Sequence, residues 1–477
     1  MSDLVDLPAV EQRRLIEART VSAQELLAAH LDRIDAAAVN GAVNAVVALD
    51  AEVAGRRAAA VDNALANGVE VGPLAGLVTA HKDLTETADF PTTYGSPLFA
   101  GFRPPADSLV VARMRAAGAV ALGKTNTPEF GAGSHTFNPV YGTTRNPYGL
   151  DRSAGGSSGG AAAALACGMV AVADGSDMGG SLRNPAAWNN VVGVRTTPRL
   201  VPAVGPGNRW STLAMEGPMG RTVDDVLLLL RVLAAADPRD PLHRATDLPE
   251  RPEPPSRPLR VAWSRDLGGL PIEPAQVAVL DRFRNVIEAV GWHVEEAEPD
   301  LRGANECFRT LRAWQIATGP AGQLGDRLAD VKATVQDEVR RGRALDAQAI
   351  ARAYDQLGAL WRRAAAFFSR YDLLVAPVTQ LAPFPAEWEY PARVAGVEMG
   401  SYIEWMAACW RITVLGTPTL SLPAGFDDAG LPVGAQLIGR HGGDVDLLRA
   451  ASVLEAATEH HRRRPPVVGA AAPEVSA

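Results

Sequence analysis

Two glycine-serine turns and one lysine carry the residue types of an acyl-transfer site. The turns are Arg152-Ser153-Ala154-Gly155-Gly156-Ser157-Ser158-Gly159-Gly160 and Gly175-Ser176-Asp177-Met178-Gly179-Gly180-Ser181-Leu182-Arg183. Ser157 and Ser181 stand 24 positions apart, and Lys82, in Ala80-His81-Lys82-Asp83, precedes Ser157 by 75. Acyl transfer needs a nucleophile, a base and a place for the oxyanion. Glycines in Met178-Gly179-Gly180-Ser181 let successive backbone N–H groups converge on one point, where an oxyanion would sit. A serine that ends such a nest presents its hydroxyl beside those donors, which makes Ser181 the candidate nucleophile.

Lysine usage singles out the base. Of 46 basic residues only Lys82, Lys124 and Lys332 are lysines. Arginine has displaced lysine wherever a positive charge suffices, so the remaining lysines are candidates for work that guanidinium cannot do. Losing a proton is the clearest such work, because burial lowers an ammonium's pKa while guanidinium stays charged. Lys82 ends the apolar run Leu74-Ala75-Gly76-Leu77-Val78-Thr79-Ala80. Lys124 follows another apolar strand and reads as a supporting residue. Lys332 lies in the polar stretch 330–338 and reads as a solvated surface residue. The rival motifs fail: the first turn lacks the lysine of a phosphate-cradling loop, Ser181 is followed by Leu182-Arg183 and so sits in no GxSxG elbow, and no SxxK occurs.

Composition narrows the field. Net charge is −8 with dispersed basic residues, so no nucleic-acid partner is expected. The three cysteines are far apart and the eight histidines form no ligand cluster, so neither a disulfide framework, a metal site nor another cofactor is expected. No apolar leader opens the chain and the run Ala161–Ala173 is too short to span a bilayer, which predicts a soluble, cytoplasmic protein with no membrane partner.

The elements that must position these residues alternate in type. Strands are predicted near Leu74–Ala80, Ala119–Gly123 and Val170–Ala173, with helices at Ser108–Ala117 and Ser158–Gly168. Capping boxes at Ser22-Ala23-Gln24-Glu25 and Thr222-Val223-Asp224-Asp225 open helices running to about Ala38 and Ala235. A further helix is predicted over 46–66. Residues 236–258 carry seven prolines and read as an exposed connector. Strands resume at 259–263, 293–298, 372–376, 417–422 and 433–438, with long helices at 304–318, 325–341 and 346–370 and a last one at 444–457. The pattern predicts one large α/β/α domain over residues 1–465, with a mixed, mostly parallel twisted sheet covered by helices on both faces. Residues 466–477 are expected to be a disordered tail.

The segments AGGSSGGAAAALACG and GSDMGGSLRNPAAWNNVVGVRTTP, with the upstream HKD and GKTNTPEFGAG, resemble the amidase signature family. The resemblance is dense over about residues 70–200 and weaker at 418–425 and 432–439. It implies a Ser-cisSer-Lys triad of Ser181, Ser157 and Lys82, with Ser157 following a cis peptide bond. It also implies an oxyanion hole from the backbone N–H groups of Met178, Gly179, Gly180 and Ser181. Asp177 and Arg183 would hold the loops, and Ser153 and Ser158 would brace the first turn. Two departures stand out: Met178 replaces a frequent Thr, and Trp188-Asn189-Asn190 replaces a Phe-Cys-Gly type of sequence.

The variable regions 200–217 and 300–410 are expected to build the substrate pocket. Trp210 and Trp405 are its aromatic candidates, and Gly131, Ala132, Gly133 and Ser134 would line it by family analogy. An aromatic pocket favours aryl or alkyl amides, with carbamates and esters as alternatives sharing the tetrahedral chemistry. One component of a tRNA-dependent amidotransferase is a less favoured reading, because Arg195–Gly217 lacks the pattern expected there. A catalytically silent binding protein is disfavoured because all three triad positions are retained. A monomer or homodimer is expected.

Overall fold

A computed structural model describes residues 4–35, 39–205 and 208–469. Its centre is an eight-stranded mixed sheet. In spatial order the strands are His293–Glu296, Arg260–Trp263, Leu373–Pro377, Pro432–Ile438, Thr419–Phe426, Val192–Arg195, Met215–Gly220 and Ala173–Asp177. Side chains alternate across it, as the two-residue period of a strand requires. Leu373 and Val375 join one apolar core, while Leu374 and Ala376 join the other. Helices cover both faces: Gly159–Cys167, Val223–Leu233 and Asp444–Thr458 pack in the first core, and Ala304–Thr318, Ala347–Phe368 and Ala407–Thr413 in the second.

The balance within the sheet differs from the expectation. Parallel pairing is confined to the Arg260 strand and its two neighbours. The other five pairings are antiparallel. The late strands return as a hairpin and not through crossover helices, and a short connection of that kind can only join antiparallel strands. A separate three-stranded sheet holds Val46–Val47, Val120–Thr125 and Val78–Lys82, with the last two parallel.

Local chemistry explains where the elements begin. Ser22 and Glu25 cap each other: Glu25 N donates to Ser22 Oγ at 3.1 Å and Ser22 N to Glu25 Oε2 at 2.8 Å. The helix expected from 46 starts instead at Ala51, because the Asp50 side chain accepts from Glu52 N and Val53 N and leaves Val46–Val47 free to pair as a strand. The strand placed at 170–173 runs from Ala173 to Asp177. Its Asp174 and Asp177 are buried polar residues with their own partners, so the apolar run marks only its approach. The helix expected over 325–341 is two pieces, Gly325–Asp330 and Ala333–Arg343, separated by extended Val331. The first capped helix ends at Asp35 among the described residues, and 36–38 lie outside them. Of the expected tail, Pro466–Val468 forms a short 3-10 turn and 470–477 lie outside the described residues.

Small residues let the site-bearing pieces approach one another. All nine residues of the helix Gly159–Cys167 are buried. A Cβ on Gly193, in the central sheet, would stand 2.4 Å from the Leu182 carbonyl oxygen, just where the short helix Arg183–Trp188 meets the sheet. Gly193→Ala is therefore expected to destabilise the fold by about 2 kcal/mol through overpacking. Gly55→Ala, where an added Cβ meets nothing within 4 Å in the helix Ala51–Ala66, should stabilise it by up to about 1 kcal/mol. Urea titrations of the two variants check both signs.

Candidate active site

Lys82 closes the strand Val78–Lys82 and is wholly buried. Its Nζ lies 2.8 Å from Ser157 Oγ, 2.9 Å from Ser158 Oγ and 3.1 Å from Ser176 Oγ. Three hydroxyl acceptors match the three N–H bonds of an ammonium. None of them is a carboxylate, so nothing in direct contact compensates the charge. Burial pulls the Lys82 pKa down to about 7, against the more distant pull of Asp174, Asp177 and Glu216. A neutral amine in this position can take a proton from Ser157. The peptide bond joining Gly156 to Ser157 is cis.

The neighbouring carboxylates are largely spoken for. Asp174 accepts from His81 at 2.7 Å and from Thr85 Oγ1 at 2.9 Å. Asp177 pairs with Arg183 at 2.8 Å and lies 3.8 Å from Arg195, all three buried. Burial opposes ionisation of Asp177, but the two guanidiniums outweigh it and hold the carboxyl well below its usual range. Glu216 is different. It lies opposite Ser176 in the strand register and its carboxyl is pushed up to about 7, by burial first and Asp174 second.

Asp177 also shapes the second turn. Its carboxylate accepts from Gly180 N at 2.9 Å and Leu182 N at 3.1 Å, which bends the backbone around the side chain. Gly180 has φ +119, and a Cβ there would stand 2.5 Å from Cys409 Cβ. Arg183 ties the same loop to Cys409 O, Thr413 Oγ1 and Gln436 Oε1 at 2.7–2.9 Å. One expectation changes here. The Gly180 N–H is committed to Asp177, whereas those of Met178, Gly179 and Ser181 make no hydrogen bond among the described residues. Three donors remain for an oxyanion.

A cavity of about 210 Å³ opens onto this loop, bounded by Ser157, Ser181, Met178, Gly179 and the segment Gly131–Ser134. The two tryptophans expected there are elsewhere. Trp210 is 70% exposed and outside the cavity lining. Trp405 is fully buried and stacked on Trp188 with ring centroids 5.6 Å apart, so it belongs to the core behind the wall. The apolar wall comes instead from Leu84, Phe130, Ile316 and Met406, with Arg312 as a cation beside them.

Sequence reasoning missed several supports. Ser158 and Ser176 hold Lys82, although both lie inside the turns that drew attention. Ser153, expected to brace its turn, shares a 2.6 Å hydrogen bond with His135 Nδ1 and accepts from Gly155 N. Lys124 donates to Thr85 O and Thr92 Oγ1, in keeping with a supporting role. Lys332 is not a solvated residue: it is half-buried, its Nζ donates to Ala132 O of the cavity wall, and its backbone N donates to Glu129 Oε2 at 2.9 Å. Its scarcity as a lysine was the signal, and its polar sequence neighbours hid it. Among the described residues, no group of three or more His, Cys, Asp or Glu side chains could hold a metal ion, and no helix is long and apolar enough to cross a membrane.

Comparisons with known proteins converge on one family. A family model described as Amidase matches residues 25–448. An acylamidase of Rhodococcus erythropolis is 34% identical, over 94% of this chain and 95% of the relative. The A subunit of a glutamyl-tRNA(Gln) amidotransferase from Acidothermus cellulolyticus is 35% identical, over 96% and 95%. Among solved structures, a bacterial aryl acylamidase of the amidase signature enzymes superposes with a TM-score of 0.88 at 29% identity, covering 95% of this chain and 97% of that one.

The lysine's environment generates a pH prediction. Catalysis by a neutral Lys82 requires kcat/KM to fall with unit slope as pH drops below about 7, the position to which burial brings its pKa. Steady-state rates on a neutral substrate across the pH range, with Lys82→Arg inactive throughout, are the expected outcome.

Proposed function

The chain belongs to the amidase signature family, and from that premise we propose that it hydrolyses small-molecule aryl or alkyl amides through a Ser181–Ser157–Lys82 relay. The observation that carries this reading is the 2.8 Å contact between a fully buried lysine amine and Ser157, at the floor of a cavity that Ser181 also lines.

The proposed steps start from the Lys82–Ser157 contact. Neutral Lys82 takes the Ser157 proton while Ser157 Oγ takes that of Ser181. The Ser181 oxygen bonds to the substrate carbonyl carbon, and the carbonyl electron pair moves onto oxygen. The N–H groups of Met178, Gly179 and Ser181 receive that charge; each such donor supplies about 10²–10³ in rate. Collapse of the intermediate breaks the C–N bond as the lysinium proton returns through Ser157 to the leaving nitrogen. Water then attacks the seryl ester by the same relay, releasing the acid and free Ser181.

The apolar wall of Leu84, Phe130, Ile316 and Met406 supports an aryl or alkyl group in place of a small polar one. It fits the names of two relatives, an acylamidase and an aryl acylamidase. Carbamates and esters would follow the same steps. The similarity to amidotransferase A subunits supports a second reading, one subunit of a tRNA-dependent amidotransferase that needs protein partners.

Purified protein should hydrolyse p-nitroacetanilide without added protein or tRNA. Ser181→Ala should lose at least about 10⁴ of that rate, and mass spectrometry of quenched wild type should show the acyl group on Ser181. An aryl carbamate and a p-nitrophenyl ester assayed in parallel rank the classes. Turnover that survives Ser181→Ala refutes the relay. Glutamine hydrolysis that appears only with a partner, with no anilide turnover, favours the amidotransferase reading.

A further inference from the structure

Phe308, Arg312 and Ile316 are spaced four apart on the helix Ala304–Thr318 and so share one face of it. Phe308 stacks on Trp410 at 4.9 Å and stands over the second glycine turn, where a Cβ on Gly179 would come within 3.1 Å of its ring. Arg312 and Ile316 continue along the cavity wall. A substrate whose carbonyl sits at the turn and whose arm lies along this helix therefore meets Arg312 about one helical turn, roughly 5 Å, farther out.

Arg312 is the one cation in the lining of this cavity among the described residues, and it is only 5% exposed. Its Nη2 donates to Tyr402 Oη at 2.7 Å, and its guanidinium lies 5.4 Å from the centroid of that ring. Nη1 lies 3.1 Å from Glu338 Oε2 in a buried ion pair. Guanidinium carries five N–H donors in a fixed fork, and among the described residues Tyr402 and Glu338 face only two of its nitrogens, Nη2 and Nη1. Glu338, itself buried, already balances the charge. The remaining demand is for an acceptor oxygen and not for a second anion.

We propose that Arg312 is a specificity-determining residue that reads a neutral acceptor oxygen, such as a ketone, ether or second amide carbonyl, about one helical turn from the scissile carbonyl. The assignment rests on the amidase reading above and narrows its substrate class. A purely alkyl arm would cover the guanidinium and leave its donors unmatched, and a site built around a polar group penalises the analogue that lacks it.

The test compares three isosteric anilides: 4-oxopentananilide, 4-methylpentananilide and succinanilate. The same three groups on the amine side of an acetamide repeat the comparison for the other arm. In one arm the ketone should exceed its alkyl isostere in kcat/KM by at least about tenfold, with succinanilate below the ketone. In Arg312→Met/Glu338→Met, which removes both buried charges together, that ratio should fall to about one. Arg312→Lys keeps the charge opposite Glu338 and should lower the ratio if the double variant does not fold. A wild-type ratio near one in both arms overturns the assignment, as does a ratio unchanged in the variants or a preference for succinanilate. Ser181-dependent hydrolysis of the alkyl anilides at a ratio of one leaves the amidase reading standing. Absence of hydrolysis of every anilide overturns both.

Discussion

Keeping one lysine amine dry and uncharged is the constraint on which the site depends. An ammonium enclosed without a contacting carboxylate loses hydration that three hydroxyls only partly replace, so burial drives Lys82 toward its neutral form. The effect would be undone if nearby carboxylates faced the amine unpartnered. Asp174 is engaged by His81 and Thr85, and Asp177 by Arg183 and Arg195. The buried ion pairs around the site thus have a consequence beyond holding loops: they turn negative charge away from the base. Glu216 is the remaining carboxylate, and its own environment holds it up near neutral pH.

The architecture serves that enclosure. Lys82 comes from the small three-stranded sheet, Ser176 and Asp177 from the edge of the large one, and Ser157 from the turn before an all-buried, alanine-rich helix. Bringing three backbones so close requires residues with little or no side chain. A Cβ on Gly160 would stand 2.3 Å from Asn126 N, and one on Gly175 2.8 Å from Ser158 Oγ. The outer wall is built differently, from the face of the helix Ala304–Thr318 and the segment Gly131–Ser134, to which Lys332 is hydrogen-bonded. The surroundings of Lys82 and the outer wall of the cavity therefore come from separate layers of the fold.

How far this was legible in the sequence depended on whether the signal was local. The glycine-serine turns and the scarcity of lysine are local, and they point to Lys82, Ser157 and Ser181, which the structure gathers around one cavity. The Gly180 N–H illustrates the limit, since a four-residue nest gives no hint that Asp177 will fold back to occupy one donor. Lys332 reads as surface because its partners, Ala132 and Glu129, are about 200 positions away. Trp405 and Trp210 share an aromatic-rich or variable context, yet one is core and the other exposed. The strand Ala173–Asp177 was displaced because its polar residues are buried by partners that only tertiary structure supplies. Arg312 had no motif at all, and only the helix face it shares with Phe308 and Ile316 reveals it.

The central claim is that Lys82 is a neutral amine at working pH, and the chain's three lysines make it directly observable. Protein labelled with ¹⁵N and ¹³C at lysine only would give three side-chain signals, assigned with Lys124→Arg and Lys332→Arg. The account predicts that the Lys82 Nζ and Cε shifts titrate with a midpoint near 7, far below an ordinary lysine. A Lys82 signal that stays that of an ammonium up to pH values typical of free lysine, about 10, would contradict it.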